Sequence, residues 1–169
     1  MALKEKILKE LSLAVKERKE LELSVLRQLS AAILNKEKEK RYKASKEKPE
    51  INELDLQKES QLTEEEVLVV VSSEAKKRKE AIPEYERGGR PELAEKEKKE
   101  LEVLQKYLPE QISEEELRKL ARESIRRVGA KEMKDIGKVM AELMPEVKGR
   151  ADGNQVSQTA RELLSKDES

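Results

Sequence analysis

Pro83-Glu-Tyr-Glu-Arg-Gly-Gly-Arg-Pro-Glu-Leu93 decides how this chain folds. Two adjacent glycines end a helix, because glycine adopts the backbone angles that a helix terminus needs. Pro91 then suits the first turn of the next helix, where its missing amide hydrogen costs little. Upstream, Thr63-Glu-Glu-Glu66 is a capping box, in which the threonine hydroxyl and the glutamate carboxylate each accept from a terminal backbone amide. It predicts a helix from Glu64 to about Glu86, with Val67, Val70, Val71, Ala75 and Ile82 turned inward. Pro83 falls inside that pattern and predicts a kink. Downstream, Leu93, Glu97, Leu101, Leu104 and Leu108 carry a helix from Pro91 to about Tyr107. Two helices with so short a connection make an antiparallel hairpin.

The same periodicity extends towards both ends. Leu3, Ile7, Leu8, Leu11 and Val15 predict an amphipathic helix, and Leu21, Val25, Leu26, Leu29, Ala32 and Ile33 predict a second. A tight turn is expected in the charged stretch 16–20. From Asn35 to Lys48 apolar residues almost vanish, which suits a solvated helix end or a mobile arm, and 49–61 reads as a loop. Tyr107-Leu-Pro-Glu-Gln-Ile-Ser113 is the expected boundary between an N-terminal domain, 1–108, and a C-terminal one, 109–169. Ser113-Glu-Glu-Glu116 is a second capping box. Its helix should bury Leu117, Leu120, Ala121, Ser124 and Val128 and stop at Gly129. A short helix follows from Met133 or Asp135 to Met144, with Ile136, Val139, Met140 and Leu143 inward. The last helix spans about Asn154 to Leu164. The expected class is all-α: an elongated N-terminal helical part with a long hairpin, and a small C-terminal helical domain.

Composition excludes more than it assigns. Of 169 residues, 44% are charged, none is Phe, Trp, Cys or His, and three are Tyr. Disulfides, thiolate nucleophiles, zinc–thiolate sites and histidine acid–base chemistry are therefore absent. No apolar run reaches a membrane span, and the N-terminus lacks the apolar core of a signal peptide, so a cytoplasmic location without membrane contact is expected. No phosphate loop, dinucleotide fingerprint or nucleophile elbow occurs. Glu64–Glu66 and Glu114–Glu116 sit in first helical turns, where negative charge favours the helix dipole, and are read as structural. Neither catalytic residues, metal ligands nor a cofactor are expected.

The 37 basic and 37 acidic residues cancel overall, so only their local distribution is informative. Between Leu117 and Arg150 there are ten Lys/Arg against five Asp/Glu. Arg118, Arg122 and Arg126 recur every four residues along one helix face, followed by Arg127, Lys131, Lys134 and Lys138. A guanidinium row suits phosphate, since each planar fork engages two oxygens. A solvated face beside Glu123 and Glu115 accounts for the pattern equally well. Lys76-Lys-Arg-Lys79 is expected on such a face. Met144-Pro-Glu-Val-Lys-Gly-Arg-Ala-Asp-Gly-Asn-Gln-Val156 sets Lys148 and Arg150 beside Gly149, with Asp152-Gly153 at a helix start. Its residues leave a plain turn and a phosphate-binding loop level. Gly137 marks either a close helix crossing or a first turn.

Tyr107–Leu117, "YLPEQISEEEL", Val128–Gly153, "VGAKEMKDIGKVMAELMPEVKGRADG", and Lys77–Gln105 together resemble the GatB/YqeY family, specifically its stand-alone YqeY-like members. The resemblance covers nearly the whole chain. It implies an elongated helical N-terminal part and a compact C-terminal domain similar to the tail of GatB, the subunit that engages tRNA in the glutamine-dependent aspartyl/glutamyl-tRNA amidotransferase. It also carries a label, carbon–nitrogen ligase with glutamine as amido donor, whose chemistry belongs to parts this chain lacks. The expectation is therefore a tRNA-binding or tRNA-amidotransferase-associated module with no active site of its own. Its partner would be tRNA, or an amidotransferase or synthetase carrying it. Arg122, Arg126, Lys131, Lys138, Lys148 and Arg150 are the expected phosphate contacts, and Gly149 and Gly153 give backbone access. The alternative is a helical protein-interaction adaptor that binds no RNA.

Overall fold

The computed structural model describes residues 1–167. The expected all-α class holds: among the described residues there are eight α-helices, one 3-10 turn and no strand. They fall into two compact units, Met1–Leu108 and Pro109–Ser169, each with its own aliphatic core.

In the first unit α1, Leu3–Glu17, turns into α2, Glu20–Glu47, at Arg18, whose φ of 54° is left-handed without being glycine. The buried stripe of α1 is Leu3, Ile7, Leu11 and Ala14. Leu8 and Val15, expected inside, remain 42% and 50% exposed because they fall to the flank of that stripe. α2 runs through the charged stretch to Glu47. Lys40 bridges Glu66 and Lys48 bridges Glu59, both at 2.7 Å.

The expected loop 49–61 contains a further helix, α3, Glu53–Glu59. Asn52 caps it by accepting from the Asp55 amide at 2.9 Å, and Leu56 buries its one apolar anchor against the unit. α4, Glu64–Arg87, begins with the complete Thr63/Glu66 capping box and continues through Pro83. α5, Pro91–Gln105, returns along it: Lys98 meets Glu86 at 2.9 Å and Glu100 meets Arg78 at 3.3 Å, the reversed order of an antiparallel pair. Gly89 makes the turn at φ 69°.

The second unit is a three-helix cluster: α6, Glu114–Val128, α7, Ile136–Val147, and α8, Gly153–Asp167. Leu117, Ala121, Ser124 and Ile125 of α6 pack with Val139, Leu143 and Val147 of α7 and with Val156, Ala160, Leu163 and Leu164 of α8. Leu120 and Val128, expected in the core, are only half-buried. Gly129 ends α6 at φ 65°, and the turn Met133–Asp135 leads into α7. α7 extends past Met144 to Val147 with Pro145 in its last turn, so the glycine-rich stretch opens in helix and its loop is confined to 148–152.

Candidate nucleic-acid interface

Every candidate contact lies in the second unit. Successive residues four apart drift by about 40° around a helix, so the arginine row winds across α6 instead of running straight. Arg118, at its inner edge, is half-buried and bridges Glu114 at 3.2 Å and Glu162 of α8 at 2.9 Å. Those two hydrogen bonds hold its guanidinium more firmly charged than an isolated one. Arg122 and Arg126 lie one and two turns on, exposed, and among the described residues no carboxylate pairs with either. Lys119 shares that outer face.

Arg127 belongs to the other flank of α6, where Glu142 lies at 3.3 Å and Glu146 closer still. On that flank too, Arg150 meets Glu116 at 3.5 Å. Ser113 caps α6 by accepting from the Glu116 amide at 3.2 Å, but the expected return bond from Glu116 is absent. That carboxylate faces Arg150 instead, so the capping box is only half made.

Past Gly129, Asp135 gathers the next cations. Its carboxylate accepts the amides of Lys131 at 3.0 Å and Glu132 at 3.2 Å. Those backbone bonds hold its pKa below the usual carboxylate value, helped by Lys138 and Lys134. Lys138 reaches the same carboxylate at 3.9 Å. Lys131 is thereby fixed just beyond the end of α6, with its side chain exposed. Gly137, in the first turn of α7, has nothing within 4 Å of where a Cβ would stand, so it marks a first turn and not a helix crossing.

The glycine-rich connection is used internally. Gly149, at φ 75°, turns its carbonyl to the side-chain amide of Gln111 at 3.0 Å, and the Arg150 carbonyl accepts from the Ile112 amide at 2.9 Å. The Arg150 side chain also donates to the Glu110 carbonyl at 3.4 Å. These bonds staple 149–150 to the segment leading into α6. At the start of α8 the Asp152 carboxylate accepts from the Asn154 amide at 3.3 Å, so an anion of the chain's own already occupies part of that helix terminus. Gly153 is exposed in the first turn without a left-handed backbone, and Lys148 is exposed on the loop.

Arg122 and Arg126 therefore share the outer face of α6, and Lys131 follows beyond its end at Gly129. Arg150 meets the opposite flank through Glu116, which is two positions from Arg118 along α6 and therefore roughly half a turn around the helix from it. The eight expected contacts do not share one surface. Lys119 was the residue the sequence reading passed over; it lies on the same outer face as Arg122 and Arg126, a placement the helical repeat alone contained.

Among the described residues no group of three or more Asp or Glu side chains is arranged to hold a metal ion. No described helix is long and apolar enough to cross a membrane. No curated protein matches the chain. A family model described as Yqey-like protein matches residues 4–164, and the chain belongs to that family.

Proposed function

We propose that this chain is an RNA-binding module, acting on tRNA or beside a tRNA-dependent amidotransferase or synthetase, and that it carries out no chemistry itself. One observation carries the reading. Arg118, Arg127 and Arg150 are engaged by Glu162, Glu146 and Glu116, whereas Lys119, Arg122 and Arg126 have no carboxylate partner among the described residues. A helix that pairs its flanking arginines yet leaves Lys119, Arg122 and Arg126 unpaired on its outer face, where Glu115 and Glu123 also lie, presents three cations that phosphates spaced along a strand can meet. Lys131 prolongs the line beyond Gly129, and Lys138 stands beside it at Asp135. Gly149 and Arg150 belong to the joint that ties this connection to the segment leading into α6, and Lys148 and Gly153 flank that joint.

Fluorescence anisotropy of labelled tRNA at low salt tests the reading. The intact chain should bind with a dissociation constant on the order of 1–10 µM. Arg122→Glu/Arg126→Glu should weaken it at least tenfold without moving the melting temperature. Absence of binding at low salt, or indifference to that double reversal, refutes it.

An adaptor without RNA binding is the second reading. It is favoured by Leu34 and Val69 of the first unit, each 51% exposed, together with Leu8 and Val15. A pull-down that yields a defined protein partner, joined to a negative RNA titration, supports the adaptor.

A further inference from the structure

On α8, whose Glu162 pairs with Arg118 of α6, an open groove of about 580 Å³ lies between the 3-10 turn and the outer face of the helix. The groove is open to solvent along much of its length, so it suits a flat group laid into it rather than an enclosed ligand. Met133 forms one wall, and Asn154, Ser157, Gln158, Arg161 and Ser165 form the other at helical spacing. The wall chemistry is mixed in a specific way. Asn154 offers a carboxamide donor and acceptor, Gln158 keeps its carbonyl and one N–H beside the bond it donates to Glu162, Ser157 adds a hydroxyl, Arg161 adds a cation, and exposed Met133 adds a soft apolar surface.

Among the described lining residues the one carboxylate, Glu162, is engaged by Arg118 at 2.9 Å and by Gln158 at 3.1 Å. Arg161 has no carboxylate partner among the described residues. The groove is thus weakly cationic, rich in amide hydrogen bonding and apolar at one side. Arg118 ties it to the arginine row, since the same ion pair joins α6 to α8.

We propose that this groove takes an unpaired nucleotide of an RNA whose neighbouring phosphates lie along Lys119, Arg122 and Arg126; the proposal rests on the RNA reading above. A base held within a stacked duplex hides its face and, in A-form RNA, the edge in the deep groove. A splayed base exposes both. Carboxamides suit a base edge, the thioether suits its face, and a guanidinium suits the flanking phosphate. A blunt duplex meets only the phosphate line. The structure therefore assigns the two RNA features to two neighbouring surfaces.

The test compares two labelled RNAs on the full chain: a stem closed by an unpaired loop, and the same stem as a blunt duplex. The intact protein should favour the loop form by roughly tenfold, about what one good base-edge contact contributes. Gln158→Ala/Arg161→Ala should bring that ratio close to one, with an unchanged melting temperature as the control for folding. Arg122→Glu/Arg126→Glu should weaken both RNAs together. Equal affinity of the intact chain for both RNAs, or a ratio unmoved by Gln158→Ala/Arg161→Ala, overturns the groove while leaving the phosphate line standing. Failure to bind either RNA overturns both. A short basic or acidic peptide that competes at the groove in place of the loop RNA also counts against it.

Discussion

Arg78 lies in the middle of a Lys-Lys-Arg-Lys run, yet its side chain is only 7% exposed. Its guanidinium meets Glu74 at 3.0 Å and Glu100 at 3.3 Å, donates to the Glu74 carbonyl at 3.1 Å, and donates to Gln28 of α2 at 2.7 Å. Glu100 is as buried as its partner, and the nearest other cation, Lys96, stands 3.9 Å away on an exposed stem. Arg78→Met keeps most of the volume but strands the Glu100 carboxylate. Stranding one half of a buried pair costs about 3–5 kcal/mol. At roughly 4–8 °C per kcal/mol for a unit of this size, the melting temperature should fall by at least about 12 °C.

The sharper expectation concerns a second variant. Arg78→Met/Glu100→Leu removes both of these charges and leaves Glu74 to Lys77, which it meets at 2.6 Å, and replacing a buried pair by apolar groups of similar size is often neutral or better. Stability should then return to within about 1 kcal/mol of the parent. Far-UV circular dichroism melts and urea unfolding of both variants decide it. Should Arg78→Met melt within a few degrees of the parent, the network contributes little. Should the double variant be as unstable as the single one, lost hydrogen bonds and packing outweigh the stranded charge, and the reasoning fails.

Three other outcomes follow from local geometry. Gly137→Ala should raise stability by about 0.5–1 kcal/mol in urea unfolding, because open space surrounds the position and its φ is ordinary. Burial, then the hydrogen bond to Glu10, pushes the Tyr107 hydroxyl above its ordinary pKa. A group whose folded pKa is raised stabilises the fold fully below its unfolded pKa, near 10, and loses that contribution as the pH climbs above it. Tyr107→Phe should therefore flatten the alkaline decline in melting temperature above pH ~10, while an unchanged decline contradicts it. Arg150→Glu should destabilise the second unit by about 1–3 kcal/mol, since it sets two carboxylates face to face and removes the bond to the Glu110 carbonyl. Its melting temperature should fall before any RNA effect is read.

Helix ends were the most legible features. Thr63 and Ser113 cap as their spacing indicates, Gly129 stops α6, and the Gly88-Gly89 turn reverses the chain. Each is a short-range signal in which three or four residues carry all the chemistry. Features that depend on distant partners were hidden. Short α3 needs its Leu56 anchor in a pocket that local sequence does not show. Arg78 looks solvated until Gln28 and Glu100 arrive from other helices. Glu116 looked like half of a capping box, but its carboxylate faces Arg150, which arrives from the loop before α8. The candidate interface was half legible for the same reason. Residue types named the cations, but only the tertiary pairing separated those already neutralised from Lys119, Arg122 and Arg126.

That separation is measured most directly by the salt dependence of RNA affinity. Each neutralised phosphate contributes a slope of roughly −0.7 to −0.9 to log affinity against log salt. If Lys119, Arg122 and Arg126 each meet a phosphate, replacing all three with alanine should flatten the slope by about 2–3, while Arg127→Ala, whose charge is spent on Glu142 and Glu146, leaves it nearly unchanged. An intact slope after the triple replacement, or a larger loss from Arg127→Ala, contradicts the phosphate line on α6.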